Sequence, residues 1–137
     1  MSSFNPSTFL RIALLGDAAA SGATGLLMAL GAGFLASLLG LPESLLRGAG
    51  LILLPYAAAV AYLGTRERHS RGAVWAVIAL NAIWVADSML LLLGGWVNPT
   101  GLGYAFVAFQ AVVVAGFAEA QYLGLRRSPA HTMPAAA

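Results

Sequence analysis

Cysteine is absent from this 137-residue chain. Its absence excludes disulfides, thiolate nucleophiles and cysteine-ligated zinc or iron–sulfur centres. Lysine is absent as well, so all seven basic residues are arginine. Charged residues of both signs reach only 9% of the chain, against about 25% in ordinary soluble domains. The two histidines, His69 and His131, both fall outside the apolar runs, which argues against a haem held between membrane-embedded histidines. No HExxH, phosphate-loop or dinucleotide fingerprint occurs. Asp17, Ser21 and Thr24 bring hydroxyls without a base beside them, so they do not make a serine hydrolase. The expectation is a protein that is not an enzyme and holds no metal.

What is present is grease: 60% of the residues are hydrophobic. They fall in long blocks, and 51–63, 73–80 and 104–118 carry no charge at all. Lipid cannot satisfy free backbone groups, so such blocks cross a bilayer as helices of about 20 residues. Four crossings are predicted, at 7–39, 44–64, 72–93 and 101–123. The fold class is therefore an all-α, four-transmembrane-helix bundle. One domain spans 1–127, and a flexible cytoplasmic tail follows at 128–137. Ser7 suits the N-cap of the first helix. That run exceeds one bilayer, and Gly31 and Gly33 are the places where it would break, tilt or emerge into the interface. Its length and the charge of Asp17 argue against a cleaved secretory signal. Pro55 should kink the second crossing by freeing the carbonyl of Leu51. Glu43 and Arg47 have the i,i+4 spacing of a surface ion pair. The loop TRERHSR (65–71) reads as wet, with His69 a solvated group.

Arg11, Arg66, Arg68, Arg71, Arg126 and Arg127 fall on one side of this arrangement, and Arg47 alone on the other. By the positive-inside rule the protein is multi-pass with both termini cytoplasmic. Trp75 and Tyr122 lie at the arginine-rich level and Trp96 at the opposite one, where amphipathic rings sit between tails and headgroups. With Arg66, Arg68, Arg71, Arg126 and Arg127 they are the expected interface anchors. The net charge of +2 thus reports orientation and not affinity for nucleic acid.

Polar groups inside the crossings are the candidate functional residues: Asp17, Asn81, Asp87, Ser88, Gln110 and Glu119. An ionised carboxylate in hydrocarbon needs water, a partner or a proton. Counting along the helices places Asn81 and Gln110 near mid-membrane, where they would meet if the third and fourth crossings turn those faces together. Two readings remain open for this group. One is a polar pocket or conduction path, and the other is an interhelical clasp that selects one packing. Asp87 lies in the outer half, within reach of outer-face water or Arg47. Asp17 and Glu119 lie at similar depth. They either approach each other, as paired carboxylates suited to proton coupling, or meet arginine stems curling along the helices. Gly16, Ala20, Gly25, Gly116 and Ala120 are spaced for close helix packing. Such faces, with Trp84 and Phe106–Phe109, would also accommodate a bound lipid, quinone or pigment, though no cofactor is predicted.

AYLGTR (61–66) is echoed by QYLGLR (121–126), and setting Asp17 over Asn81 sets Thr24 over Ser88. An internal duplication of this kind would make the bundle two hairpins related as parallel repeats. The segments NAIWVADS, GGWVNPT and FAEAQYLGLRR resemble those of small bacterial four-helix integral membrane proteins. That resemblance spans residues 10–127 and implies a bacterial inner (cytoplasmic) membrane. The size, and a carboxylate early in the first helix, are similar to small multidrug exporters, in which that carboxylate binds cation or proton; Asp17 is the one position carried over. The arginine bias departs from that family, implying one fixed orientation. The leading expectation is a membrane accessory or scaffold subunit packing against lipids, against itself as a homo-oligomer, or against a larger membrane complex. The alternative is a proton-coupled small-molecule or ion transporter using its intramembrane carboxylates.

Overall fold

A computed structural model describes residues 3–128; of the expected tail only Ser128 is among them, and it is buried, while the rest of the tail with His131 lies outside. Among the described residues the fold is all-α apart from two two-residue strands. In chain order these are β1 (Ser3–Phe4), α1 (Thr8–Leu30), α2 (Ala32–Leu39), α3 (Glu43–Thr65), β2 (His69–Ser70), α4 (Arg71–Leu93) and α5 (Gly101–Arg126). The helices α1, α3, α4 and α5 are long and apolar enough to cross a membrane. The result is a multi-pass helical bundle of the kind membrane proteins build. Its outward faces are greasy, with Leu30, Phe109 and Val112 among the most exposed side chains.

The helix ends follow from local chemistry. Ser7, Ser70 and Thr100 cap α1, α4 and α5, their hydroxyls accepting from the amides of Leu10, Ala73 and Gly103, which satisfies one exposed donor each. The expected single run of 7–39 is broken at Gly31, which separates α1 from α2. α2 ends at Gly40, whose φ of 69° is left-handed and suits glycine. Glycine is needed there sterically too, since a β-carbon would lie 2.9 Å from the Thr100 amide nitrogen. That amide donates to Leu39 O at 2.9 Å, and Thr100 Oγ1 donates to Leu38 O at 2.9 Å, tying the two turns at this end together. Glu43 and Arg47 form the expected exposed ion pair at 2.9 Å.

α1 packs closely on α3, and α4 on α5, so the chain forms two hairpins; α1 also packs on α5 and joins them. Gly25 and Gly50 let α1 and α3 approach, because a β-carbon on Gly50 would lie 2.6 Å from the Ala29 amide nitrogen. Two apolar clusters result. Leu10, Leu14, Val60, Val74, Val77 and Leu125 gather toward the arginine-rich end. Met28, Leu35, Leu39, Leu46, Leu53 and Val107 gather toward the other.

At the arginine-rich end β1 pairs antiparallel with β2, with Phe4 opposite His69. The solvated loop expected for His69 is corrected here: the side chain is fully buried because the N-terminal strand folds over it. Its ring meets Phe4 edge-on at 6.0 Å. Ser7 N donates to Ser128 Oγ at 2.7 Å, so both ends of the described chain and the 65–71 loop share one end of the bundle. Arg66 lies over Tyr62, Arg71 over Phe4, Arg126 over Tyr122 and Arg127 over Phe9. Trp75 packs on Tyr122. Trp96 is exposed at the opposite end.

Candidate functional site

Between the two apolar clusters lies a polar one. Asp17 on α1 is 1% exposed and is hydrogen-bonded to side chains from every spanning helix. Ser21, one turn along α1, donates to Asp17 Oδ1 at 3.0 Å. Asp17 Oδ2 accepts from Asn81 Nδ2 of α4 at 3.0 Å and from Gln121 Nε2 of α5 at 2.8 Å. The hydroxyl of Tyr56, on α3, stands 2.7 Å from the same Oδ2. Asn81 Nδ2 also donates to Gln121 Oε1 at 3.0 Å. The orientation of Asn81 follows from this surrounding, since its amide nitrogen sits between two acceptors. Asn81 Oδ1 is thereby turned toward Tyr56, 2.8 Å from the hydroxyl.

The pairings differ from those expected along the helices. Asp17 is held by uncharged donors and not by arginine stems; Arg11 reaches instead to Gly64 O at 2.8 Å. Asp17 does not meet Glu119, which is exposed on α5. Asn81 meets Gln121 and not Gln110. Gln121 sits one residue before Tyr122, inside the motif QYLGLR, where an interfacial amide looks ordinary in sequence. Tyr56 follows Pro55 near the middle of α3, where it reads as one more ring in an apolar run. Only the helical period could have flagged the pair: Gln121 lies three and four residues before the close-packed Gly124 and Leu125, and Tyr56 lies between the buried Leu53 and Val60.

Gln110 belongs to a second network. Trp84 Nε1 donates to Gln110 Oε1, Gln110 Nε2 donates to Ser88 Oγ at 2.9 Å, and Ser88 Oγ donates to Trp84 O at 2.8 Å. Each of these donors has its own acceptor, so this is a closed, neutral tie between α4 and α5. Asp87 is exposed, about 9 Å along α4 from Asn81 by helical rise. No ion pair joins it to Arg47, which is engaged by Glu43.

Both networks line one cavity of about 590 Å³, within the size range of small-molecule sites. Asp17, Tyr56 and Asn81 contribute to its wall, as do Trp84, Asp87 and Gln110; Phe106, Phe109 and Phe117 add aromatic rings. The proposed packing residues have different surroundings. A β-carbon on Gly16 would lie 3.1 Å from the Phe117 ring, and one on Gly25 3.0 Å from Leu53 Cβ. Ala20 lines the cavity, and Ala120 is half-buried. Gly116 has open space beside it within the chain, with no atom within 4 Å of an added β-carbon. No group of three or more metal-ligating side chains occurs among the described residues. Compared with protein-family models, curated proteins and solved structures, the chain matches none. What the structure supports is an all-α bundle with four helices long and apolar enough to span a membrane.

Proposed function

We propose that this protein is a small proton-coupled transporter, moving a small molecule or ion through this cavity with Asp17 as its coupling carboxylate. One observation carries the proposal. A buried carboxylate on the cavity wall is hydrogen-bonded from all four spanning helices, so a change in its charge acts on the whole bundle at once. Keeping a carboxylate buried here takes side chains from all four helices, an expense that packing alone does not require. The neutral Trp84–Gln110–Ser88 tie is the kind of device that suffices for packing. The aromatic lining and the unpaired Asp87 favour a solute with an apolar or aromatic body and a polar or cationic end. The setting that fits is a bacterial inner membrane, with the arginine-rich end in the cytosol.

The test is reconstitution into lipid vesicles that trap a pH-sensitive dye. A gradient of benzyltrimethylammonium, an aromatic cation that does not cross lipid unaided, should drive opposite proton movement through the wild-type protein. Asp17→Asn should slow this at least tenfold while leaving thermal stability nearly unchanged. The asparagine can still accept from Tyr56, Asn81 and Gln121 through its oxygen and donate to Ser21 through its nitrogen. Equal rates in wild-type, Asp17→Asn and protein-free vesicles would sink the proposal. So would recovery from native membranes only in stoichiometric complex with a larger protein, with flux in neither form; that outcome points to the accessory role.

A further inference from the structure

The hydroxyl of Tyr56 has one hydrogen and two acceptors, Asp17 Oδ2 at 2.7 Å and Asn81 Oδ1 at 2.8 Å. Both distances are those of true O–H···O hydrogen bonds, and one hydrogen cannot lie along both. A short oxygen–oxygen contact with no hydrogen between is repulsive. The two distances are satisfied together only if a second hydrogen lies between Asp17 and Tyr56. We infer that the ion bound at this site is a proton on Asp17 Oδ2, and that Tyr56 relays its presence from α1 to α4. The inference rests on the transport reading for its purpose, though its chemistry stands apart from it.

The two states balance. With the proton bound, Asp17 donates to the Tyr56 oxygen, and Tyr56 donates to Asn81 Oδ1. When the proton leaves to the cavity, the carboxylate draws the Tyr56 hydrogen to itself, and Asn81 Oδ1 loses its donor. No bond other than the acidic O–H is made or broken. A metal cation in the same role fits poorly. Hard cations take oxygen ligands, yet Asp17 Oδ2 faces two amide N–H groups and a hydroxyl. The Gln121 carbonyl is occupied by Asn81, and the Asn81 carbonyl is turned to Tyr56. The neighbouring Trp84–Gln110–Ser88 network contrasts with this one, because each of its donors is already assigned.

The relay has a mechanical consequence. α1 is packed on α3 and α4 on α5, so the Tyr56–Asn81 hydrogen bond is a direct side-chain tie between α3 and α4. It exists only while the proton is bound. Tyr56 and Asn81 both line the cavity, and loss of the proton loosens that side of its wall.

The experiment is magnetic resonance in lipid nanodiscs. Aspartates are labelled with carbon-13 at the side-chain carboxyl and tyrosines at the ring carbon bearing the hydroxyl. The chain has two aspartates, Asp17 and Asp87, so Asp87→Asn leaves the Asp17 signal alone. On titration the Asp17 carboxyl and the Tyr56 carbon should move together with one midpoint, alike in sodium and potassium buffers. Tyr56→Phe should displace that midpoint by about one pH unit or more. A carboxyl that stays ionised throughout, answers to sodium, or titrates while Tyr56 stays still would overturn the inference. If Tyr56→Phe does not fold, the paired titration in the Tyr56 protein decides alone. Titration without flux in the vesicle assay removes the transport reading and leaves this one; flux without titration does the reverse.

Discussion

Gln121 Nε2 donates to Asp17 Oδ2 at 2.8 Å, joining residues 104 positions apart in the chain. The contact sets the rotation of α5 against α1, and it has a measurable weight. Gln121 is fully buried. Gln121→Leu removes a donor from Asp17 and leaves an Asn81 amide hydrogen without its acceptor. Such a loss costs about 1–3 kcal/mol. Gln110→Leu breaks the neutral tie, where interhelical hydrogen bonds average about 0.6 kcal/mol each. Thermal unfolding in detergent should therefore rank Gln121→Leu as clearly the more damaging; equal losses would contradict the central place given to Asp17.

Gly124 and Gly116 share a face of α5 by spacing but not by environment. A β-carbon on Gly124 would sit 2.8 Å from Leu10 Cα, against backbone that cannot give way, whereas Gly116 has open space. Gly124→Ala should push α1 from α5 and lower stability by about 1–3 kcal/mol. Gly116→Ala should be neutral or stabilising by up to about 1 kcal/mol, through helix propensity alone. Circular-dichroism melts of the two variants check the contrast, and a damaging Gly116→Ala would show an interface on that face.

His69 lies outside the spanning helices, and neither ring nitrogen has a hydrogen-bond partner among the described residues. Burial pushes its pKa below the ordinary 6.5, and the Arg11 guanidinium adds to this; the Arg66 backbone opposes them. Arg71, over the Phe4 ring, is a further cation facing this corner. The folded state thus takes up the proton less readily than the unfolded chain. Stability from a neutral His69 is intact above about 6.5 and is lost as pH falls toward the lowered folded value. Acidification should release the β1–β2 pairing first. Hydrogen exchange at the Phe4 and His69 amides should quicken beyond its intrinsic pH trend, and His69→Phe should abolish that excess.

The arginine distribution makes a prediction about sidedness. Reporters fused after residue 68 and at the C-terminus should both read out in the cytosol, and one inserted after Asn98 should read out on the far side. Opposite placement of the first two would overturn the four-span topology. Replacing Arg66, Arg68 and Arg71 together by glutamine should weaken the preference, because arginine near helix ends sets orientation.

Much of the architecture was legible in the residues. The hydropathy of α4 and α5 marks their spans, Ser7 marks the start of α1, and Gly31 is one of the two glycines at which the first run was expected to break. Asp17 and Asn81 stand out as polar groups in greasy runs, and both reach the central cluster. Their partners were not legible. Gln110 has the same chemistry as Gln121 and a more central position by counting, yet it faces Trp84 and Ser88. Gln121 looks like the interfacial side chains that any membrane helix carries, and Tyr56, mid-helix beside Pro55, reads as one more ring in an apolar run. His69 looked solvated because nothing in TRERHSR signals that residues 3–4 will cover it.

What this sequence determined by itself is what lipid demands locally: apolar helices of sufficient length, with arginine and aromatic residues at their ends. Those constraints act within one helix at a time and can be read along the chain. Which polar groups meet was decided by tertiary structure. The rotation of each helix about its axis is fixed by distant close contacts, Gly50 against α1 and Gly124 against Leu10 among them, and a small change in rotation exchanges one glutamine for another.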